Sequence, residues 1–338
     1  MLSIDKRVKE IEGLDPQSLD DEILKATQPL LLKGLVANWP MVRAGRESAA
    51  AADAYMRRFY RGDTVMAGVG KPEIGGRLFY NDDLTDFNFL AIHTKLDVIL
   101  DQIRERQNDG NPPLIYMGSI PVDDYLPGFR AENDISSLAN RNPIVSIWVG
   151  NRSRIAAHFD TPDNLACLVA GRRRFTVFPP EQIGNLYIGP LDITPAGQPI
   201  SLVDFANPDF SKFPKFEEAL KHAQVAEMEP GDAIFIPSSW WHHVEAFEPL
   251  NVLVNYWWRQ VPDYMDKPVN ALMTAIMTIR DLPPAERKAW QEFFRHYVFE
   301  ADGSTAAHIP EKARGSLAPM SPEMVREMRG QLLKRLNR

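Results

Sequence analysis

Cysteine is almost missing from this sequence: Cys167 is the single thiol in 338 residues. One thiol makes no internal disulfide, which excludes a small secreted scaffold stapled by bridges. Long apolar runs are missing as well. Stretches such as Leu30–Leu32 are short and interrupted, far below the roughly 20 residues a membrane-spanning helix needs. The N-terminal MLSIDKRVKEIEGLDPQ lacks the apolar core of a secretory leader. Positive charge is in deficit, with 38 Lys and Arg against 45 Asp and Glu, a net of −7. Nucleic-acid affinity comes largely from Lys and Arg at phosphates, so no nucleic-acid surface is expected, and no membrane association either. These absences predict a cytoplasmic globular protein. The 44% hydrophobic and 25% charged content is ample for a buried core.

What is present in the middle of the chain is a series of short strand candidates: Leu114–Met117, Ile144–Val149, Asn164–Ala170, Arg173–Phe178, Ala233–Pro237, His243–Phe247 and Asn251–Trp257. Gly171-Arg172 reads as a hairpin turn between two of them. Many short strands with Gly and Pro turns predict an antiparallel sandwich or barrel, not alternating βαβ units. Helical spacing is expected over Glu22–Ala26, Glu47–Tyr60, Ala91–Arg106 and Pro214–Ala223, and then over Met265–Ile279, Pro284–Tyr297 and Pro322–Leu336. The division that follows is residues 1–110 as a helical and strand segment packing on the core, 111–260 as the core, and 261–338 as a C-terminal helical segment.

The chemistry concentrates in Ile155-Ala-Ala-His-Phe-Asp160. Residues two apart in a strand share a face, so His158 and Asp160 point the same way and Phe159 points opposite. Pro230-Gly-Asp-Ala-Ile-Phe-Ile-Pro-Ser-Ser-Trp-Trp-His242 supplies a turn, a strand, a second turn and then a further imidazole. Two His and one carboxylate with the other positions open are the donor set of non-haem Fe(II) oxygenases. A His-X-Asp taken alone is equally the pattern of a buried histidine bonded to an aspartate. The conjunction with the distal His242 is what points to a metal. On an octahedral iron, three protein ligands leave two positions for a chelating 2-oxo acid and one for dioxygen.

At these residues the chain resembles the cupin-like JmjC family, which includes the asparaginyl hydroxylase acting on hypoxia-inducible factor. The shared text runs in order through Gly34–Pro40, Leu114–Met117, His158–Asn164, Gly171–Pro180, Asn185–Pro190, Glu229–Glu245 and Val254–Trp257. The resemblance implies a mainly β protein: a double-stranded β-helix (cupin or jelly-roll) core with N-terminal and C-terminal helical segments. It implies His158, Asp160 and His242 as catalytic metal ligands, with His243 facing away. It also implies Fe(II), 2-oxoglutarate as co-substrate, and O2. Tyr116 and Arg173 align with the residues that bind the distal carboxylate of 2-oxoglutarate, Arg173 standing where the family usually has Lys. Asn164 and Asn255 align with residues near the iron-side end of the co-substrate, and Trp257 shares the face of Asn255. Ile155 replaces a Thr that reaches the same carboxylate.

The other tryptophans, Trp148, Trp240 and Trp241, read as walls of the core. Arg154 and Asp163 flank the metal strand and read equally as substrate contacts or surface residues. Loops at Phe79–Phe89, Pro121–Arg130 and Ile183–Ala206 are expected around the barrel mouth. The reading is a hydroxylase of a protein side chain or small molecule. The alternatives are a cupin dioxygenase or isomerase without 2-oxoglutarate, and a non-catalytic metal-binding module. Demethylation of N-methyl-lysine ranks below hydroxylation. The C-terminal helical pair Met265–Tyr297 resembles the dimerising helices of the asparaginyl hydroxylase, which implies a homodimer; the alternative is an amphipathic cap on the barrel.

Overall fold

The computed structural model describes residues 2, 4–195 and 197–337. It divides into Met1–Gln260 and Val261–Arg338.

The first unit is built on two sheets. The larger runs, in spatial order, β1 (Lys9–Ile11), β2 (Leu30–Leu32), β12 (Ala233–Ile236), β9 (Asp163–Ala170), β14 (Asn251–Trp258), β7 (Ile144–Gly150), β6 (Leu114–Pro121), β3 (Thr64–Gly70) and β5 (Phe89–Lys95). The smaller runs β11 (Gln224–Met228), β10 (Arg173–Phe178), β13 (Trp241–Ala246), β8 (Ser153–Phe159) and β4 (Arg77–Leu78). Pairing is antiparallel except between β1 and β2 and between β4 and β8. Two facing sheets flanked by helices make the jelly-roll core that the residues imply. Strands on both sides of residue 110 share the large sheet, since β3 pairs with β6.

Helices α1 (Asp21–Leu24), α2 (Pro40–Glu47), α3 (Ala49–Arg57), α4 (Leu96–Glu105), α5 (Val122–Tyr125) and α6 (Phe216–His222) flank the sheets. Local chemistry sets their starts. The Asp20 carboxylate caps α1 by accepting from the Ile23 amide, and the Ser48 hydroxyl caps α3 by accepting from the Ala51 amide. Helix α2 comes so close to β9 that a Cβ on Gly45 would fall 2.0 Å from the Val169 carbonyl oxygen, so only glycine fits. With helices on one side and the small sheet on the other, β9 is buried at every position. That is why it reads as a continuous apolar run and not an alternating one.

Three expectations are corrected. Gly171-Arg172 does not close a hairpin: β9 pairs only with β12 and β14, while β10 pairs with β11 and β13. The turn carries the chain from one sheet to the other. Gly171 sits at φ +83°, and a Cβ there would come within 2.3 Å of Asn251 Oδ1. Second, Ala91–Arg106 is not one helix. Phe89–Lys95 is the edge strand β5, paired with β3 along its length, and the helix begins at Leu96. Pairing with a neighbour outweighed a periodicity that fits only from Leu96 onward. Third, Pro121–Arg130 is no open loop. It holds α5, buries Val122, Leu126 and Phe129, and ties Arg130 to Asp123 and Asp134.

The segment between β10 and β11 covers the outer face of the small sheet. Phe205, Phe216, Leu186 and Val203 pack there against Ala157, Phe178 and Trp241. The second unit contains α7 (Pro268–Thr278), α8 (Pro284–Phe294) and α9 (Pro322–Leu336). Of its described apolar side chains, only Ala306 is buried. No helix among the described residues is long and apolar enough to cross a membrane.

Candidate metal centre

His158 lies near the end of β8, and Asp160 one residue past that end. His242 lies on β13, directly opposite His158 in the pairing of the two strands. The two rings sit 4.3 Å apart, and one donor atom from each of the three residues lies within 4.8 Å of the others. No other such cluster of His, Cys, Asp or Glu occurs among the described residues.

The backbone fixes which imidazole nitrogen faces the cluster. His158 Nδ1 lies 2.9 Å from the Ala156 carbonyl oxygen, and His242 Nδ1 lies 3.1 Å from that of Trp240. A carbonyl only accepts, so each Nδ1 carries a proton and Nε2 is the nitrogen left for a metal. Burial pushes the His242 pKa down to about 4, with the neighbouring His158 acting in the same direction. The ring is therefore neutral at physiological pH, as a ligand must be. Its 3.6 Å contact with Asp160 is accordingly not an ion pair.

A chain of side-chain hydrogen bonds holds the carboxylate. Trp148 Nε1 donates to Asn255 Oδ1 at 2.8 Å, Asn255 Nδ2 to Asn164 Oδ1 at 3.4 Å, and Asn164 Nδ2 to Asp160 Oδ2 at 3.0 Å. Trp257 Nε1 donates to the same Oδ2 at 3.2 Å. Partners of this kind orient a ligating carboxylate. Asn164, Asn255 and Trp257 are thus brought to the site, with their polar groups directed to one another and to Asp160. Trp148, expected in the core wall, lines the cavity and begins this chain.

The cavity around the cluster measures about 420 Å3. Tyr116 and Arg173 also line it. Arg173 is 4% exposed, and its Nε has no hydrogen-bond partner among the described residues. Burial lowers its pKa and raises that of the Tyr116 phenol to about 12. A guanidinium left in this state strongly favours an incoming anion, because its desolvation is otherwise uncompensated. Ile155 lines the same end with an apolar surface.

His243 points the other way. It is absent from the cavity lining and stacks on Phe205 at 4.4 Å, on the outer face. Neither Arg154 nor Asp163 lines the cavity. Arg154 pairs with Asp204, and Asp163 accepts from the Ser238 amide and from Gln260. Of the expected mouth loops, the first contributes Phe87 and Phe89 and the third Pro195 and Ile200, with Ala196 outside the described residues.

The fold and this donor set define a double-stranded β-helix protein with a candidate two-histidine, one-carboxylate metal centre. The family model for the cupin-like domain matches residues 16–264, and the chain belongs to that JmjC-type cupin family. It is 32% identical over 165 residues to the lysine-specific demethylase JMJ31 of Arabidopsis thaliana, covering 47% of this chain and 28% of that protein. It is 32% identical over 151 residues to human HSPB1-associated protein 1, covering 43% and 30%. It is 33% identical over 142 residues to zebrafish (Danio rerio) tRNA wybutosine-synthesizing protein 5, covering 41% and 38%. The alignments thus span about a third of the length of these relatives.

Proposed function

We propose that this chain is an Fe(II)- and 2-oxoglutarate-dependent oxygenase that hydroxylates a protein side chain or a small molecule. The observation that carries the reading is the pairing of three convergent donors with a buried, unpartnered guanidinium in one cavity. A metal centre alone fits many cupins, whereas the added cation selects for an anionic co-substrate.

In this reading His158, Asp160 and His242 hold the iron. When bound, the metal would supply the coupling of 2-oxoglutarate and O2 to oxidation of a C–H bond, one oxygen atom going to the substrate hydroxyl and the other to succinate, with release of CO2. The protein's own residues do the rest. Arg173 offers a planar fork of donors to the distal carboxylate, where Lys would give a point charge. Tyr116 keeps its proton and donates to the same carboxylate. The chain from Trp148 to Asp160 would orient the carboxylate for the metal. Iron, co-substrate and turnover are tested together. Anaerobic Fe(II) with 2-oxoglutarate is expected to give a visible charge-transfer band, and aerobic incubation to release succinate. Iron binding without either would point to a cupin that does not use 2-oxoglutarate.

We also infer a homodimer through residues 261–338. Leu272, Met273, Met277, Trp290 and Phe293 are each more than 40% exposed on α7 and α8, more apolar surface than a monomer usually leaves to water. Sedimentation should show a dimer that Leu272→Glu with Met277→Glu converts to monomer. A monomeric wild type would end this part of the proposal.

A further inference from the structure

The cavity extends well past the metal ligands. Its lining crosses six adjacent strands of the large sheet: Asn164 on β9, Asn255 on β14, Trp148 on β7, Tyr116 on β6, Gly68 on β3 and Ala91 on β5. At about 4.8 Å per strand, the path from β14 to the edge strand β5 is about 19 Å along the sheet. Charged and polar groups occupy its first part and end with Tyr116 and Arg173. The part under β3 and β5 is walled by Met66, Leu78, Phe87 and Phe89. Among the described residues lining it, none there carries a charge, and the nearest side-chain hydroxyl apart from Tyr116 is the exposed Ser119.

Two glycines line the cavity for different reasons, Gly68 within this lobe and Gly118 where the lobe meets Tyr116 and Trp148. A Cβ on Gly68 would come within 3.2 Å of Phe89 and 3.4 Å of Leu78, so close packing of the two walls accounts for that glycine. At Gly118 the backbone is not in the left-handed region, and a Cβ would meet Trp148 at an ordinary 3.6 Å. Neither a left-handed backbone nor close packing calls for glycine there, and the residue sits where the pairing of β6 with β7 shifts register between Met117 and Ile120. What its missing side chain leaves is room in the cavity.

We propose that this lobe receives an uncharged, apolar group of the substrate, aromatic or branched aliphatic, and that Gly118 sets how large that group is. The proposal rests on the oxygenase reading for what happens at the metal, but the occupant of the lobe is read from its own walls. A methylated lysine cation does not fit them. Such cations are held by aromatic cages, and here Phe87 and Phe89 stack on one another, 5.2 Å apart at 12°, and enclose no cage, while the adjoining Asp86 lies outside the lining with its Oδ1 accepting from the Phe87 amide at 2.8 Å. An ammonium would give up its hydration and gain nothing in return.

The test uses the full chain and N-phenyl-1-naphthylamine, an uncharged apolar fluorophore. Gly118→Leu is expected to weaken dye binding about tenfold. Ala91→Leu, on the exposed edge strand, serves the same purpose if the first variant does not fold. N-acetyl-phenylalaninamide and N-acetyl-leucinamide should displace the dye, and N-acetyl-trimethyl-lysinamide should not do so at tenfold higher concentration. Unchanged dye binding in the folded variants, or equal displacement by the trimethyl-lysine amide, overturns the proposal. Dye binding is read without iron or 2-oxoglutarate. A missing charge-transfer band therefore removes the oxygenase reading alone, and a dye result removes the lobe alone.

Discussion

The two faces of the small sheet carry the same residue types with opposite fates. On the inner face His242 meets His158 and Asp160, and Arg173 is buried with its Nε unpartnered. On the outer face, one residue along the same strands, His243 stacks on Phe205, and Arg174 pairs with Glu227 at 2.5 Å. Burial does not separate the two histidines, which are 3% and 4% exposed. What separates them is the surroundings: the inner residues face other donors and a cavity, the outer ones a packed cluster or a counter-ion. A missing partner marks the functional arginine, since Arg174 has its counter-ion, but not the functional histidine, since the Nδ1 of His243 is also unpartnered and only its surroundings set it apart.

The largest effect should come from the inner histidines. His242→Ala or His158→Ala is expected to lower Fe(II) affinity and turnover about a thousandfold, while His243→Gln keeps metal affinity within about threefold. A chelator-competition titration measures this, and loss of metal in His243→Gln as complete as in His242→Ala would erase the contrast between the faces. Next, Arg173→Met should raise the 2-oxoglutarate requirement about a hundredfold, because a charge-assisted fork to a carboxylate is lost in a dry site. Arg174→Met should change it less than about threefold, its pair being partly exposed and worth about 1 kcal/mol or less. A steady-state series in 2-oxoglutarate decides, and reversed ranks would move the anchor to the outer face.

Smaller still is Trp257→Phe, which removes one donor from Asp160 and should cost about tenfold in Fe(II) affinity with unchanged secondary structure. The smallest effect is an expected constancy. Burial raises the Tyr116 pKa to about 12, so the phenol remains a donor until pH rises through that value. Ionisation would turn the donor into an anion facing the carboxylate, so affinity should fall only there. An unshifted phenol would be about nine-tenths ionised at pH 11, yet 2-oxoglutarate binding should be level from pH 7 to 11. A decline centred near pH 10 would show Tyr116 to be solvated.

Much of the core was legible because its signals are local. Short strands between Gly and Pro turns announced a β protein, and the period of two placed His158 and Asp160 on one face. The helices at Pro284–Phe294 and Pro322–Leu336 follow their periodicity closely. Where the reading failed, a distant partner had decided the outcome. Phe89–Lys95 is a strand because β3 lies beside it, and β9 and β10 part at Gly171 because each finds its neighbours in a different sheet. The hydrogen-bond chain from Trp148 to Asp160 joins β7, β14 and β9, and no spacing in the chain encodes it. The apolar lobe was missed for the same reason, since its walls come from β3, β4, β5 and β6.

By itself, then, the order of residues determined which side chains share a face, where turns fall, and which donor types are on hand. Backbone periodicity acts over a few residues and is the same in any surroundings. Tertiary structure alone decided that His242 reaches the other two donors, that Arg173 keeps an unsatisfied Nε, and that the cavity continues to the sheet edge. Those outcomes depend on strands far apart in the chain lying side by side, as His158 and His242 do, and burial in that assembly is what turns an ordinary imidazole or guanidinium into a reactive one.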